Sequence, residues 1–190
     1  MDARLRTWAR LPYLDSERIL RGLRDIAANS PLHELPYEVA SLRRRELRAY
    51  AEGRQAALFC YGMSQIIGTS VWFAQAEASD YDVVARYVLD DLIHYAPVQL
   101  KEFVPEHVNP TAELQVEMDK IGKYVDSAEL VVAFHINRAI TLHPSELRLP
   151  GGIGGLWLYG AKSSDQSRWF VIGNPLAPQP GTLEFGYPGA

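Results

Sequence analysis

Cysteine is almost missing: Cys60 is the only one in 190 residues. That excludes an intramolecular disulfide and any multi-cysteine zinc site. Leu58, Phe59 and Tyr61 surround it, so a buried structural thiol is expected, and no histidine nearby in the sequence offers to activate it as a nucleophile. Long apolar runs are missing as well: no stretch approaches the roughly 18 uninterrupted apolar residues of a spanning helix. Met1 to Arg10 is basic and continues into Leu11-Pro12-Tyr13-Leu14-Asp15, without the apolar core or small-residue cleavage site of a secretory leader. The expectation is a cytoplasmic chain with no membrane partner. A net charge of −4 argues against a nonspecific polycation, and no internal repeat is visible.

What is present is the balance of an ordinary globular protein, 47% hydrophobic and 22% charged, at a length that fits one domain and a sizeable core. Charge is unevenly placed. Residues 1–60 hold eleven arginines against eight acids, whereas the rest of the chain holds eight basic and fifteen acidic residues. Arg43-Arg44-Arg45, with Arg48 and Arg54, has two readings: a phosphate-binding group or a solvated helix face.

Periodicity predicts the elements. Ser16 caps a helix to about Ala28, with Ile19, Leu20, Leu23 and Ile26 as its apolar stripe. A long helix is expected from Pro36 or Tyr37 to Ile67, ended by Gly68, with Gly53 or Gly62 bending it or allowing close packing. Three strands follow as a meander: 69–76, 81–89 after a polar break at 77–80, and 95–104 after a turn at Asp90-Asp91, with Pro97 near the last strand's entry. Asn109 and Pro110 start a helix ending near Ser127. Leu130 to Ile136 is a nearly continuous apolar run, expected as a central strand covered on both faces. Leu156 to Ala161 and Arg168 to Ile172 form a hairpin, and the Pro/Gly-rich tail after Asn174 is expected to be extended or mobile. The plan is a single domain over 1–175: a helical extension over 1–35, a core over about 45–138, a hairpin over about 156–173, and the tail 176–190.

One hairpin gathers chemistry. If 81–89 and 95–104 turn between Asp91 and Leu92, Asp82 faces Lys101, and Gln99 lies on the same side of the strand because side chains alternate. Burying an acid, an amide and an amine together is costly without a partner. A divalent cation suits the Asp82 carboxylate, the Gln99 amide oxygen and the Leu100 carbonyl. A lysine beside it can orient water or stabilise charge on a phosphate. The bland alternative makes Asp82 a turn residue and Gln99, Lys101 and Glu102 exposed positions of an edge strand.

Here the chain resembles the PD-(D/E)xK, or restriction-endonuclease-like, nuclease superfamily over roughly residues 45–138. Asp82 matches the family's acid and Gln99-Leu100-Lys101 its E/D/Q-x-K tripeptide, with glutamine in place of the commoner glutamate. The resemblance implies an α/β fold with an α-β-β-β-α-β core and a mixed central sheet flanked by helices. It implies a Mg²⁺- or Mn²⁺-dependent nuclease acting on DNA, with Asp82, Gln99 and Lys101 catalytic, and a homodimer by analogy. It also implies an acid on the first core helix; Glu52 is the first candidate and Glu46 the second, unless Ala56 or Ala57 occupies that place. A protein that keeps the fold without hydrolysis, using the arginine-rich helix for a nucleic-acid or protein partner, is the alternative.

Other candidates are weaker. His135 and His143 lack the further ligands of a metal site, so His135 is expected in the core or at a strand end. Asn137 and Arg138 fit either phosphate contact or strand termination. Gly151 to Gly155 lacks the lysine-serine pair of a phosphate loop and reads as a turn, and Gly62-Met63-Ser64 is not a nucleophile elbow.

Overall fold

The computed structural model describes residues 3–76, 78, 80–124, 127–141, 143, 146–176 and 181–189. The protein is mixed α/β, with an eight-stranded sheet whose strands lie side by side in chain order. These are β1 (Leu14–Asp15), β2 (Trp72–Gln75), β3 (Val83–Leu89), β4 (Leu92–Phe103), β5 (Ser127–Ile136), β6 (Ile153–Ala161), β7 (Arg168–Ile172) and β8 (Thr182–Gly186). Pairing is antiparallel from β1 to β4, parallel through β4, β5 and β6, and antiparallel again to β8. The helices are α1 (Ala3–Trp8), α2 (Ser16–Asn29), α3 (Tyr37–Ala40), α4 (Arg48–Ile67) and α5 (Leu114–Asp119).

Alternation along the central strands splits the core into two layers. Val98 and Leu100 of β4, Ala133 of β5 and Tyr159 of β6 pack with Leu20 of α2 and Leu58 of α4. On the other face, Phe103, Val132, Phe134 and Leu158 pack with Met118 of α5 and Ile121 of the following 3₁₀ turn. β5 is thus covered on both faces, as its apolar run predicts. Gly62 serves close packing: a Cβ there would lie 2.7 Å from Val171 Cγ2 and 3.0 Å from the Phe185 ring.

Several boundaries differ from expectation, each for a local reason. Asp15, not Ser16, caps α2 by accepting the Arg18 amide at 2.9 Å, and Ser16 Oγ instead donates to the Val71 carbonyl at 2.8 Å. The single long helix is broken after Ala40. Leu42 takes a φ of 58°, the amides of Arg43 and Arg44 turn back to the Glu38 carbonyl, and a 3₁₀ turn (Arg45–Leu47) leads into α4. Gly68 closes α4 with a φ of 77°, as its place in the sequence predicts. β4 starts at Leu92, which puts Pro97 inside the strand rather than at its entry. The helix expected from Pro110 begins only at Leu114, because Asn109 turns its side chain to Thr111 Oγ1. Ser127 opens β5 instead of ending that helix. The tail is also corrected: Thr182–Gly186 extends the sheet as β8 and buries Phe185. Residues 77 and 79 of the expected polar break, the expected helix end at 125–126, and residues 177–180 and 190 of the tail lie outside the described residues.

Candidate functional site

The site hangs on the β3–β4 hairpin. Asp90 and Asp91 both take positive φ, 49° and 60°, so the turn is a two-residue connection centred between them. Leu89 pairs with Leu92 and Val83 with Val98. The expected register, with Asp82 facing Lys101, is therefore wrong by two residues. A slip of two preserves which face each strand side chain occupies, so Gln99 and Lys101 stay on one side of β4.

Asp82 stands just ahead of β3. Its amide donates to the Val98 carbonyl at 3.0 Å, and Val83 pairs with the same Val98. The β3–β4 ladder ends at that pair, so strand alternation does not set the direction of the Asp82 side chain. The carboxylate turns into the gap where β3 leaves β4. There Asp82 Oδ2 accepts the Leu100 amide at 2.7 Å and the Gln99 side-chain amide. Gln99 Nε2 also lies 3.4 Å from the Leu100 carbonyl oxygen. A carboxylate, a primary amide and a peptide edge thus meet at one point. The alternative of exposed edge positions holds only in part: beyond Val98, β4 pairs with β5 alone, yet Gln99 is only 7% exposed.

Lys101 shares the Gln99 side of β4. Its Nζ sits 5.5 Å over the Tyr124 ring, and among the described residues no carboxylate lies within ion-pair distance of it. Burial holds the Asp82 carboxyl above its usual range and the Glu52 charge adds to this, while the Leu100 amide, Lys101 and Arg48 pull the other way. Glu52 is therefore the acid of α4 within electrostatic reach of Asp82, and it pairs with Arg48 at 2.7 Å. Glu46 is exposed beside Arg44, and Ala56 and Ala57 are buried in the core.

Among the described residues, no three His, Cys, Asp or Glu side chains gather as a metal cluster. A mixed oxygen set remains: the Asp82 carboxylate, the Leu100 carbonyl and the Gln99 amide oxygen after a half-turn of that amide. This hard set suits Mg²⁺ or Mn²⁺, and a cation there would offset the Asp82–Glu52 repulsion.

In comparisons with known proteins, no family model, curated protein or solved structure matches the chain.

A second feature lies beside the first, on the α4 face. A cavity of about 250 Å³ opens between the Ser41–Gln55 segment and the ends of β4 and β5. Arg43, Arg44, Arg45, Arg48 and Arg54 line one wall, opposite Glu102, His135 and Asn137. Glu102 Oε1 accepts from Arg43 Nη2 at 2.8 Å and from Asn137 Nδ2 at 2.6 Å. His135 stacks on Tyr159 with ring centres 4.9 Å apart; burial pushes its pKa down to about 3, Arg54 and Arg43 adding to the effect, so it is neutral at physiological pH. The arginines were legible as candidates. The opposite wall was not, because only the parallel pairing of Glu102 with His135 brings it together.

The remaining candidates are structural. The buried Cys60 thiol is pushed up to about 12 by desolvation alone. Arg138 donates to the carbonyls of Val104 and Asn109, both at 2.7 Å, and holds the chain after β4. Gly154 lies in β6, where a Cβ would collide with the Ala128 carbonyl, so the glycine run serves strand approach rather than phosphate binding.

Proposed function

We propose that the chain is a divalent-metal-dependent phosphodiesterase of the restriction-endonuclease-like kind, acting on DNA. The observation that supports it is the meeting of Asp82, Gln99 and the Leu100 peptide in the β3–β4 gap, with Lys101 two residues along the strand. The order α4, β2, β3, β4, α5, β5 agrees with this reading, being a helix, a three-strand meander, a helix and a strand parallel to the third. Asp82, Gln99 and the Leu100 carbonyl would hold Mg²⁺ or Mn²⁺, which when bound supplies a more acidic water and neutralises charge at the phosphate. Lys101 positions the attacking water and stabilises the charge that develops on the phosphoryl oxygens. Water adds to phosphorus, the bond to the leaving sugar oxygen breaks, and the water proton ends on that oxygen through solvent. Glu52 holds Arg48 and adds negative potential at Asp82.

Purified protein with either metal is expected to cleave single-stranded, double-stranded or branched DNA. Lys101→Ala and Asp82→Asn, checked by circular dichroism for an intact fold, are expected to lose at least about a hundredfold in rate. Wild-type protein that cleaves none of these substrates with either metal overturns the reading.

The arginine-lined cavity favours a second reading, a DNA-binding or assembly protein without hydrolysis. Salt-sensitive DNA binding that Asp82→Asn leaves unchanged, with no cleavage by wild type, distinguishes it. The homodimer belongs to either reading and is checked by sedimentation of the full chain.

A further inference from the structure

The arginine-lined cavity is built in a way that the Asp82 site does not use. Arg43 is answered by Glu102, and Arg44 and Arg48 by Glu46 and Glu52, which stand outside the lining. Arg45 and Arg54 have no acid within ion-pair distance among the described residues, and Arg54 Nη2 instead meets Gln166 Oε1 at 2.7 Å. The cavity wall therefore carries surplus positive charge.

Two buried side-chain polar atoms lack a hydrogen-bond partner among the described residues, Arg43 Nε and His135 Nδ1. Both belong to residues that line this cavity, Arg43 on the arginine side and His135 opposite it. Buried polar groups are almost always paired, so two unpaired ones among the lining residues, each closed to solvent, are donors that a small side-chain shift would turn to a ligand oxygen. A neutral imidazole can present Nδ1–H as a donor beside a guanidinium, a pair suited to an oxyanion. Leu42, at the rim, keeps a φ of 58° with a branched side chain, and such strain gathers at ligand sites.

We infer that this cavity takes the terminal phosphate of a nucleic-acid strand. A terminal phosphate can reach a cavity floored by a buried side chain such as His135, only 3% exposed. A terminal monoester also carries up to two charges and three free oxygens, matching several arginines at once. An adjoining cavity of about 420 Å³, lined in part by Tyr37 and Trp169, shares Arg43, Arg54 and His135 and leaves room for the last nucleoside. The Arg48–Glu52 pair ties the cavity to the Asp82 site. The choice of a nucleic-acid end rests on the phosphodiesterase reading; the phosphate chemistry stands on the cavity itself.

The test is binding of the full chain in EDTA, where nothing is cut, by fluorescence anisotropy. The probes are one short oligonucleotide bearing a 5′-phosphate, a 3′-phosphate or neither, with inorganic phosphate as competitor. One phosphorylated end is expected to bind at least about tenfold tighter than the unphosphorylated strand, and phosphate to compete. Arg54→Gln and His135→Phe are expected to remove the preference; Arg45→Gln, at an exposed position, should weaken it and serves if the others misfold. Asp82→Asn is expected to keep it. Equal affinity for all three strands overturns the inference, even if inorganic phosphate binds, and so does a preference that survives in every folded arginine variant. Failure of the phosphodiesterase reading appears separately, as a preserved end preference without cleavage when metal is restored.

Discussion

Two rings enclose His135, Tyr159 stacked at 4.9 Å and Trp169 tilted at 5.8 Å, while its Nδ1 goes without a partner. Burial, with Arg54 and Arg43, brings its pKa down to about 3, below the ordinary value of 6.5. Between those values the unfolded chain binds the proton and the folded chain does not. Stability therefore falls as pH drops through that window, by up to about 1.4 kcal/mol per pH unit from this residue. His135→Phe preserves the ring packing and removes the unmet polar atom. It is expected to gain about 1 kcal/mol at neutral pH and to flatten the acid limb, read from urea denaturation at several pH values. An unchanged limb would show that another group carries it. Asp82 has the opposite sign. Its carboxyl is held above the ordinary range, chiefly by burial, so ionising it as pH rises past that range costs stability. On the proposed reading a bound cation would offset that cost, and Mg²⁺ is expected to raise the melting temperature of wild type at neutral pH but not that of Asp82→Asn.

Among the elements, the β3–β4 hairpin and α4 decide where the site stands. Asp90 and Asp91 occupy left-handed positions that asparagine and glycine take at lower cost. Asp90→Asn with Asp91→Gly is expected to stabilise by about 1 kcal/mol without moving the register, measured by chemical denaturation with activity unchanged. Gly62→Ala forces a methyl onto Val171 and Phe185 and is expected to cost about 1–3 kcal/mol, loosening β7 and β8 from α4. The same elements show what was legible. Alternation put Gln99 and Lys101 on one side of β4, and a register error of two left that intact because strands repeat every two residues, whereas Asp82 reaches them from beyond the end of β3, where alternation no longer applies. Glu52 was legible as a helix acid, yet its reach to Asp82 depends on how α4 packs on the sheet. The break at Leu42 was not legible: a leucine in helical register gives no sign that it will take a positive φ, and that break delivers the arginine run to the cavity. β8 was hidden because Pro and Gly on both sides mark an irregular tail, whereas Phe185 finds its place only against Tyr61 and Gly62.

At the scale of the molecule, β4 carries both features, Gln99 and Lys101 toward the α5 face and Glu102 toward the α4 face. From Gln99 to Glu102 is about 10 Å at the rise of a strand, and because the two side chains leave opposite faces, a nucleic-acid strand passes round the edge of β4 that β3 leaves open beyond Val98, a path longer than three stacked nucleotides at about 3.4 Å each. A strand held in the cavity by its terminal phosphate would present a phosphodiester to Asp82 a few nucleotides from its end. The expected products from a phosphorylated end are thus short and of one narrow length range, a few nucleotides long, and removing the phosphate should slow their release by about tenfold at subsaturating DNA. Denaturing gels of end-labelled DNA measure both quantities. Arg54→Gln should lower cleavage of the phosphorylated strand to the level of the unphosphorylated one while leaving the latter unchanged. Asp82→Asn should abolish both. Long internal fragments, made at equal rates from either strand, would mean that the two sites act on DNA independently and that the end-anchored geometry is wrong.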